Sequence, residues 1–533
     1  MALLLLAGAG YAYYKKTQQQ QQQEDPLEIS NAEEEAAFFA NKTAISLLPA
    51  ELSLALLNSS LSTVTFLDGN YEQDAVRIET AVNQILESNP WLGGWLAKGP
   101  PKTSSSSSTE NSETPINQTK NTPREWQLWY DPTGPKEEST GAAAFACLEE
   151  GIIPLTRETP YDQLHSLCQE HALHVPSIKQ LQSNSSTKAP SHPEHQHIPL
   201  WSVRMVPDAV APTNRYALIV SMAHFLGDAH TFYQLHGMLL RHAFADSSTT
   251  PQAGAVVPLN PIRQLSDFPR QAEARLGADA WQYLVKTNPT SLEKVFQKNS
   301  SDDTKNNKDD SDSLETLVFS IRQEWLTEQL QQVQEQQHTS HDDTIVVEEK
   351  TLLFWWFFHV IVQPTVALWA HPLRPYLDCL GHHDAGNYQN PIPYTPIDYA
   401  TPQQLQASLR HGRRLASIGD AATTTNEQSA SSSTTPLPSA FQLWRPSSTF
   451  AIATDWHEAA VTAGSTTTST TSGNHLPLFD LHVFQSSMGA KMSGMIIFSV
   501  REGRLGAFCT VRKSMVAKIA QSGIMDEVLA IAK

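Results

Sequence analysis

The sequence predicts an α+β (mixed α/β) fold, because strand and helix patterns alternate along its whole length. Residues Tyr71–Pro90 carry a helical periodicity, and Tyr216–Met222 form a continuous apolar run that is typical of a buried strand. Near the C-terminus, Met495–Val500 and Leu505–Val511 flank a short polar turn, which predicts a hairpin. These three patterns together exclude a purely helical and a purely β architecture.

The first predicted helix is amphipathic. Its apolar residues follow the spacing i, i+3, i+4, i+7 and i+8 and are Ile78, Ala81, Val82, Ile85 and Leu86. Asn89 and Pro90 end the pattern, since proline disfavours the helical conformation of the residue before it. One face of this helix is therefore expected to lie against a core.

The central region predicts two strands followed by a helix. Pro199–Val206 alternate in part between apolar and polar residues, as in a half-buried strand, and the buried strand Tyr216–Met222 follows. In His230–Phe244, a helical face is formed by Phe232, Leu235 and Leu239. The turn between the second strand and this helix contains His224 and Asp228.

A second long apolar run, Leu352–Ala370, has the length of a membrane-spanning helix. Polar or helix-breaking residues interrupt it in the middle, namely His359, Gln363 and Pro364. A core helix followed by a buried strand is therefore the favoured interpretation. At the C-terminus, Ser514 is expected to cap a final helical region that Gly523 interrupts.

Length and charge limit the function classes. The chain has 533 residues, a length that allows about two to four domains. Its net charge is −18. The acidic balance argues against general nucleic-acid binding, which needs a basic surface. The four cysteines are scattered along the chain, at Cys147, Cys168, Cys379 and Cys509. Their spacing excludes a disulfide scaffold and any CxxC metal site.

Residues 1–44 are predicted to be a short apolar N-terminus followed by a disordered, Gln-rich tether. Residues 2–14 are apolar but too short to span a bilayer alone. An export signal, a short membrane anchor and the stump of a longer anchor all stay open, and a cytoplasmic location is favoured. Five Ser-, Thr-, Asn- or Asp-rich stretches predict surface insertions, at 102–122, 183–197, 298–313, 421–436 and 464–473.

The most informative polar group is the pair His224 and Asp228. His224 follows the buried strand, where an imidazole facing a cleft can act as a general base. Asp228 stands where the next helix begins and is expected to cap it, since carboxylates accept from the unpaired amides there. The same spacing recurs at His242/Asp246 and at His338/Asp342. Only the first pair lies between a strand and a helix, and this context selects it.

Other histidines favour solvated loops. His192, His195 and His197 lie in a polar stretch without a scaffold, and His382 and His383 lie in a glycine-flanked turn. No metal site is therefore expected. The chain contains no HExxH, GxSxG, P-loop or GxGxxG motif, so it offers no support for zinc proteases, α/β-hydrolases or nucleotide binding.

Residues around the His-x-x-x-Asp motif carry a resemblance to a known family. Ile85–Leu96 and Pro199–Pro207 resemble motifs that lie before the catalytic strand in the chloramphenicol-acetyltransferase-like (CAT-like) superfamily. Ala385–Tyr388 resembles its later "GN" segment, and Asp342-Asp343 resembles an "Asn-Asp" region. The superfamily includes BAHD acyltransferases, wax ester synthases and condensation domains of peptide synthetases. These matches occur in the family's order over roughly residues 45–525. By this resemblance, the chain is identified as a divergent member of the superfamily.

Two departures from the family pattern concern the motifs themselves. Ala229 replaces the usual glycine after the aspartate, where a methyl group is expected to strain a tight turn. Of the C-terminal Asp-Phe-Gly-Trp-Gly motif of BAHD members, only Asp480 remains, while Thr454–Trp456 resemble the "S-W" segment before it. The chain is thus expected to be a relative outside the BAHD group proper.

The resemblance implies two similar CAT-like halves, each a mixed β-sheet flanked by helices, with a channel between them. The expected N-terminal half spans residues 45–250, the crossover with its polar insertion 251–315, and the C-terminal half 316–533. His224 is implied as the general base in the channel, and Asp228 as a structural residue paired with an arginine that the sequence does not identify. Implied channel residues are Trp456, Asn387 and Asp480.

By the same resemblance, the chain is expected to move an acyl group from acyl-CoA, as co-substrate, to a hydroxyl or amine of a small or lipid-like acceptor. No bound cofactor is expected, and a monomer is favoured, with membrane association through residues 2–14 left open. Two alternatives remain: a catalytically inactive binding or scaffold protein on the same fold, and a condensation-type domain that uses carrier-bound thioesters. Dependence of activity on His224 separates the first alternative from the enzyme.

Overall fold

A computed structural model describes the elements that carry the fold. The described residues are 37–48, 51–52, 55, 60–98, 125–133, 144–160, isolated positions between 163 and 178, 200–244, 256–276, 314–338, 346–374, 377–411, 449–455, 477–482, 492–500 and 504–532. The five predicted polar insertions and residues 1–36 of the predicted tether lie outside these ranges. Regular structure is present before the residue-45 boundary expected from sequence, since residues 37–39 are helical and β1 begins at Thr43.

The strands, in chain order, are β1 (Thr43–Ser46), β2 (Ser60–Asp68), β3 (Trp95–Lys98), β4 (Trp126–Tyr130), β5 (Phe145–Cys147), β6 (Trp201–Pro207), β7 (Arg215–Ala223), β8 (Leu314–Ile321), β9 (Val366–Pro372), β10 (Gln389–Tyr394), β11 (Phe450–Asp455), β12 (Pro477–His482), β13 (Met492–Ser499), β14 (Leu505–Arg512) and β15 (Met525–Ala532). The α-helices are α1 (Tyr71–Ser88), α2 (Ala229–Phe244), α3 (Asp267–Leu276), α4 (Gln323–His338), α5 (Glu349–Trp355), α6 (Pro402–His411) and α7 (Lys513–Gln521). Strands and helices are mixed throughout, which confirms the predicted fold class.

The strands of the described ranges form three sheets. A small antiparallel sheet has the order β1-β4-β3, and a five-stranded sheet has the order β12-β2-β7-β6-β5. The largest sheet has seven strands in the order β10-β9-β11-β13-β14-β8-β15, with β11 parallel to both of its neighbours. Although β12 lies late in the chain, it pairs antiparallel with β2, so the last third of the sequence completes a sheet built from the first half.

Side-chain alternation explains how the two large sheets share a core. In the seven-stranded sheet, Val318, Ile496 and Phe508 pack into the cluster built mainly by the five-stranded sheet. Their strand neighbours Leu317 and Ile497 pack instead into a second cluster with residues of α4 and α5. Since successive strand residues point to opposite faces, one face of the large sheet lies against the first half and the other against its own helices.

Helices α1 and α2 pack against the five-stranded sheet. Polar contacts join them to it: the Tyr216 hydroxyl of β7 donates to Asp74 of α1 at 3.0 Å. The Thr65 hydroxyl of β2 lies 3.0 Å from Nε2 of His236 on α2. Asn70 caps α1, because its side chain accepts from the Gln73 amide. These contacts set the position of α2, and with it the turn that precedes α2.

The predicted elements agree with the structure except in two places. The strand β6 was expected to be half-buried but is buried at every position except Arg204, and the C-terminus differs as well. The apolar run at Leu352–Ala370 forms the end of α5, a π-helical turn (Trp356–Val362) and β9. Ser514 does not cap the final helix, because α7 begins one residue earlier and Arg512 is its N-cap, without a side-chain bond. Gly523, at φ 72°, ends this region, and β15 follows as a strand that the sequence did not predict. No helix among the described residues is long and apolar enough to cross a membrane.

The buried face of α1 generates a test of packing. Ile85 is fully buried, so Ile85→Ala leaves a cavity and is expected to lower the free energy of unfolding by about 2–5 kcal/mol. Val76 on the same helix is 63% exposed, and Val76→Ala is expected to change it by less than about 0.5 kcal/mol. Urea unfolding measures both variants, and equal effects would contradict the assigned helix face.

Candidate active site

The strand β7 delivers His224 to a buried turn between the two halves. β7 is buried at every position after Arg215, and a short 3-10 turn, His224–Leu226, follows it directly. Gly227 then allows the chain to pass close to α2, since a Cβ atom there would lie 2.5 Å from Cβ of Thr231. We call residues 224–228 the histidine loop.

The hydrogen bond of His224 fixes which ring nitrogen carries the proton. Its Nδ1 lies 3.2 Å from the carbonyl oxygen of Gly227. A carbonyl oxygen only accepts, so Nδ1 donates and the neutral ring has its lone pair on Nε2. The side chain is 7% exposed, and the pKa of His224 is lowered to about 4, with burial as the largest cause. At neutral pH the ring is therefore an uncharged proton acceptor.

Asn387, which the resemblance implied as a channel residue, lies against His224. Its side-chain Nδ2 donates to the carbonyl oxygen of His224 at 3.0 Å and lies 3.4 Å from the ring Nδ1. The bond to a carbonyl oxygen requires the amide nitrogen, not the amide oxygen, at this position. Asn387 thus holds the backbone of the histidine loop from the side of the second half.

Asp228 caps α2, as the sequence predicted. Its Oδ1 accepts from the backbone amide of Thr231 at 3.1 Å and from the Thr231 hydroxyl at 3.2 Å. Its Oδ2 accepts from the backbone amide of Tyr388, at 3.3 Å. The carboxylate therefore ties the first turn of α2 to the segment that carries Asn387.

Arg374 is the arginine that pairs with Asp228. Its Nε lies 3.3 Å from Asp228 Oδ2 and its Nη2 lies 3.4 Å from Oδ1. Burial by itself raises the pKa of Asp228, but Arg374 lowers it, and the net result is a pKa below the ordinary value. Arg374 also packs over the ring of Tyr388, 4.8 Å from its centroid. Asp228 is accordingly an ionised structural group.

The structure brings three of the predicted site residues together: His224, Asp228 and Asn387. Trp456 and Asp342-Asp343 lie outside the described residues. Asp480 belongs to β12 and pairs with Thr63, and its side chain is outside the described part of the structure. Arg374 could not be identified from the sequence, because 146 residues separate it from Asp228 and no local pattern marks it.

The turn with His382 and His383 supports α2 without forming a metal site. Nε2 of Gln234 donates to the carbonyl oxygen of His382 at 2.6 Å, and the rings of His230 and His382 meet edge-to-face. Asp384 accepts from the side chain of Asn260 at 2.7 Å. Across the described ranges, no group of three or more His, Cys, Asp or Glu residues could hold a metal ion.

Comparison with solved structures found low-identity chains that match over most of their length. F. sporotrichioides TRI101 complexed with coenzyme A and T-2 is 12% identical, with a TM-score of 0.43 over 90% of this chain and 97% of that chain. Polyketide synthase associated protein 5 from Mycobacterium tuberculosis is 13% identical, with a TM-score of 0.44 over 90% of this chain and 97% of that chain. The first condensation domain of the CDA synthetase is 11% identical, with a TM-score of 0.47 over 91% of this chain and 98% of that chain. No protein-family model and no curated protein matches the chain.

The buried pair of Asp228 and Arg374 generates a stability prediction. Asp228→Asn leaves the Arg374 charge buried without its counterion, so we expect a loss of about 3–5 kcal/mol in the free energy of unfolding. The matched control is Asp267→Asn, which breaks the exposed pair with Arg270 and is expected to cost less than about 1 kcal/mol. Denaturant unfolding at pH 7 compares the two, and similar losses would show that Asp228 is not specifically stabilised.

The same pair predicts a pH dependence with a defined sign. Because the pKa of Asp228 is lowered in the folded state, its stabilisation is complete above the ordinary aspartate pKa of about 3.9 and is lost as pH falls through the lower folded pKa. The difference in unfolding free energy between wild type and Asp228→Asn should therefore shrink on acidification below about pH 4. A difference that stays constant down to pH 2 would contradict an ionised Asp228.

Proposed function

We propose that the chain is an acyltransferase that moves an acyl group from an acyl-CoA thioester to a hydroxyl or amine acceptor, with His224 as general base. The observation that carries this proposal is the state of His224, a buried neutral imidazole whose Nδ1 proton is held by the Gly227 carbonyl. Its Nε2 is then the basic nitrogen. A base placed beside two substrates supports direct transfer between them, without a covalent enzyme intermediate.

In the proposed reaction, Nε2 of His224 takes the proton of the acceptor hydroxyl or amine as its oxygen or nitrogen attacks the thioester carbonyl. A tetrahedral oxyanion forms, the carbon–sulfur bond then breaks, and the acyl group stays on the acceptor. The imidazolium returns its proton to the departing CoA thiolate, which leaves as the free thiol. Atoms and charge balance, and His224 ends the cycle in its starting form.

Asp228 is proposed to hold the geometry without exchanging protons. It is buried and ionised, and its two oxygens accept from Thr231, Tyr388 and Arg374. A carboxylate engaged in this way is a weak proton acceptor, since these donors favour its charged form. Its contacts instead keep the histidine loop fixed between β7 and α2.

The acyl-CoA donor and the small or lipid-like acceptor are proposed from the sequence resemblance. The alternative of an inactive relative loses one of its supports in the structure, because Ala229 lies in the first turn of α2 and does not have a positive φ. The strain that sequence analysis expected at Ala229 is therefore absent, and that expectation was wrong. A helical alanine at this position is compatible with a working loop.

The first test measures free CoA thiol released from a panel of short and long acyl-CoAs, with hydroxyl and amine acceptors. His224→Ala is expected to lower the acceptor-dependent rate by about 10²–10⁴-fold, because it removes the base. The matched control is His236→Ala, since burial also lowers the pKa of His236 to about 4, but His236 contacts Thr65 outside the histidine loop. Equal rates for wild type and His224→Ala across the panel would overturn catalysis by His224.

The second test is the pH profile of kcat/KM. Because the pKa of His224 is lowered to about 4, chiefly by burial, the base stays unprotonated well below the ordinary histidine pKa of about 6.5. With a hydroxyl acceptor, which does not titrate in this range, we therefore expect kcat/KM to fall on acidification only near pH 4, within the range where circular dichroism shows the folded protein. An acid limb at pH 6–7 would indicate a solvent-exposed base.

A further inference from the structure

A second buried ion pair lies close to the histidine loop, between Arg263 and Glu51. Nε of Arg263 lies 2.9 Å from Oε1 and 3.0 Å from Oε2 of Glu51, and both side chains are 0% exposed. They lie 212 residues apart, Arg263 in the crossover segment and Glu51 before β2. Since burying two charges is costly, such a pair needs a reason beyond its mutual attraction.

The remaining donors of Arg263 bind backbone carbonyls of both halves. Nη2 donates to the carbonyl oxygen of Leu226, inside the histidine loop, at 2.8 Å. Nη1 donates to Ala385 at 3.0 Å and to Pro261 at 2.7 Å. One planar guanidinium thus fixes the distance between the histidine loop and the segment that carries Asn387.

The carboxylate of Glu51 completes the connection to His224. Its Oε1 accepts from the backbone amide of Asn387 at 2.8 Å, and its Oε2 accepts from the amide of Leu48 at 2.9 Å. The side chain of Asn387 in turn donates to the carbonyl oxygen of His224. The pair therefore reaches the histidine loop twice, directly at Leu226 and through Asn387 at His224.

Gly386 leaves the room that this arrangement needs. Its φ of 145° lies in the region that favours glycine. A Cβ atom there would lie 3.2 Å from Cδ of Arg263 and 2.8 Å from the Tyr388 ring. The absence of a side chain at Gly386 therefore leaves space for Arg263 to reach both the histidine loop and the segment that carries Asn387.

We propose that Arg263 and Glu51 are positioning residues, which set the orientation and the dry surroundings of His224 through Leu226 and Asn387. Their catalytic consequence depends on the function proposed above. A merely stabilising pair would be replaceable by apolar residues of similar size, whereas a positioning pair is not, because only the arginine supplies the donors for Leu226 and Ala385.

The experiment compares Arg263→Gln with the double variant Glu51→Leu/Arg263→Met, which removes both charges together. Arg263→Gln is expected to lower both Tm and kcat, kcat by about 10²-fold with KM changed less than about threefold. The double variant should recover much of the Tm, since no charge stays unpaired, while its kcat stays low. Arg270→Gln, which breaks an exposed pair, serves as the control and should behave like wild type.

A second readout does not need turnover. NMR titration of ¹³C-labelled histidines, with the His224 signal identified by its absence in His224→Gln, reports the pKa of the base in each folded variant. We expect it to rise from about 4 toward about 6.5 in the double variant and in Asn387→Ala, as water reaches the ring. Asn387→Ala keeps both charges, so it tests the last link even where the Arg263 variants do not fold.

Two results would overturn the proposal. One is a double variant with the wild-type kcat, and the other is a His224 titration that stays at the wild-type value in the double variant and in Asn387→Ala. Absence of acyl transfer in the wild type would count against the proposed function instead. The histidine titration would still decide whether the pair positions His224.

Discussion

The ion pair of Asp228 with Arg374 is the interaction on which the rest of the site depends. Asp228 ends the histidine loop that follows β7 and caps α2, whereas Arg374 follows β9 in the other large sheet. Because both groups are buried, neither charge has water as an alternative partner, and each must remain in contact with the other. The pair therefore sets where the segment 384–388 meets the histidine loop, and every contact of His224 with the second half follows from that meeting.

Burial acts in opposite ways on the charges and on the base. The buried carboxylates of Asp228 and Glu51 are stabilised because each accepts hydrogen bonds from an arginine side chain and from backbone amides. For His224 the same exclusion of water favours the neutral ring, and the Gly227 carbonyl selects its tautomer. A set of paired charges thus surrounds an uncharged imidazole, an arrangement that suits a proton acceptor at neutral pH.

The architecture places this site between elements that are remote in sequence. The seven-stranded sheet packs one face against the core of the five-stranded sheet, and β12 leaves the second half to pair with β2. Both features make the two halves one cooperative structure, since separating them would expose apolar side chains and an open sheet edge. Two buried ion pairs connect the residues of the site across the boundary between the halves. The geometry of the site therefore depends on the stability of the whole fold.

The sequence by itself determined the local elements: α1, β7, α2 and the hairpin of β13 and β14 follow from periodicities that only involve neighbouring residues. It also located His224 and Asp228, because a strand end followed by a helix cap is a local pattern. It did not identify Arg374, the pair of Arg263 and Glu51 or the pairing of β12, and it missed β15. Those were decided by tertiary structure, since long-range pairing depends on which buried groups meet in space, and sequence spacing does not encode that distance.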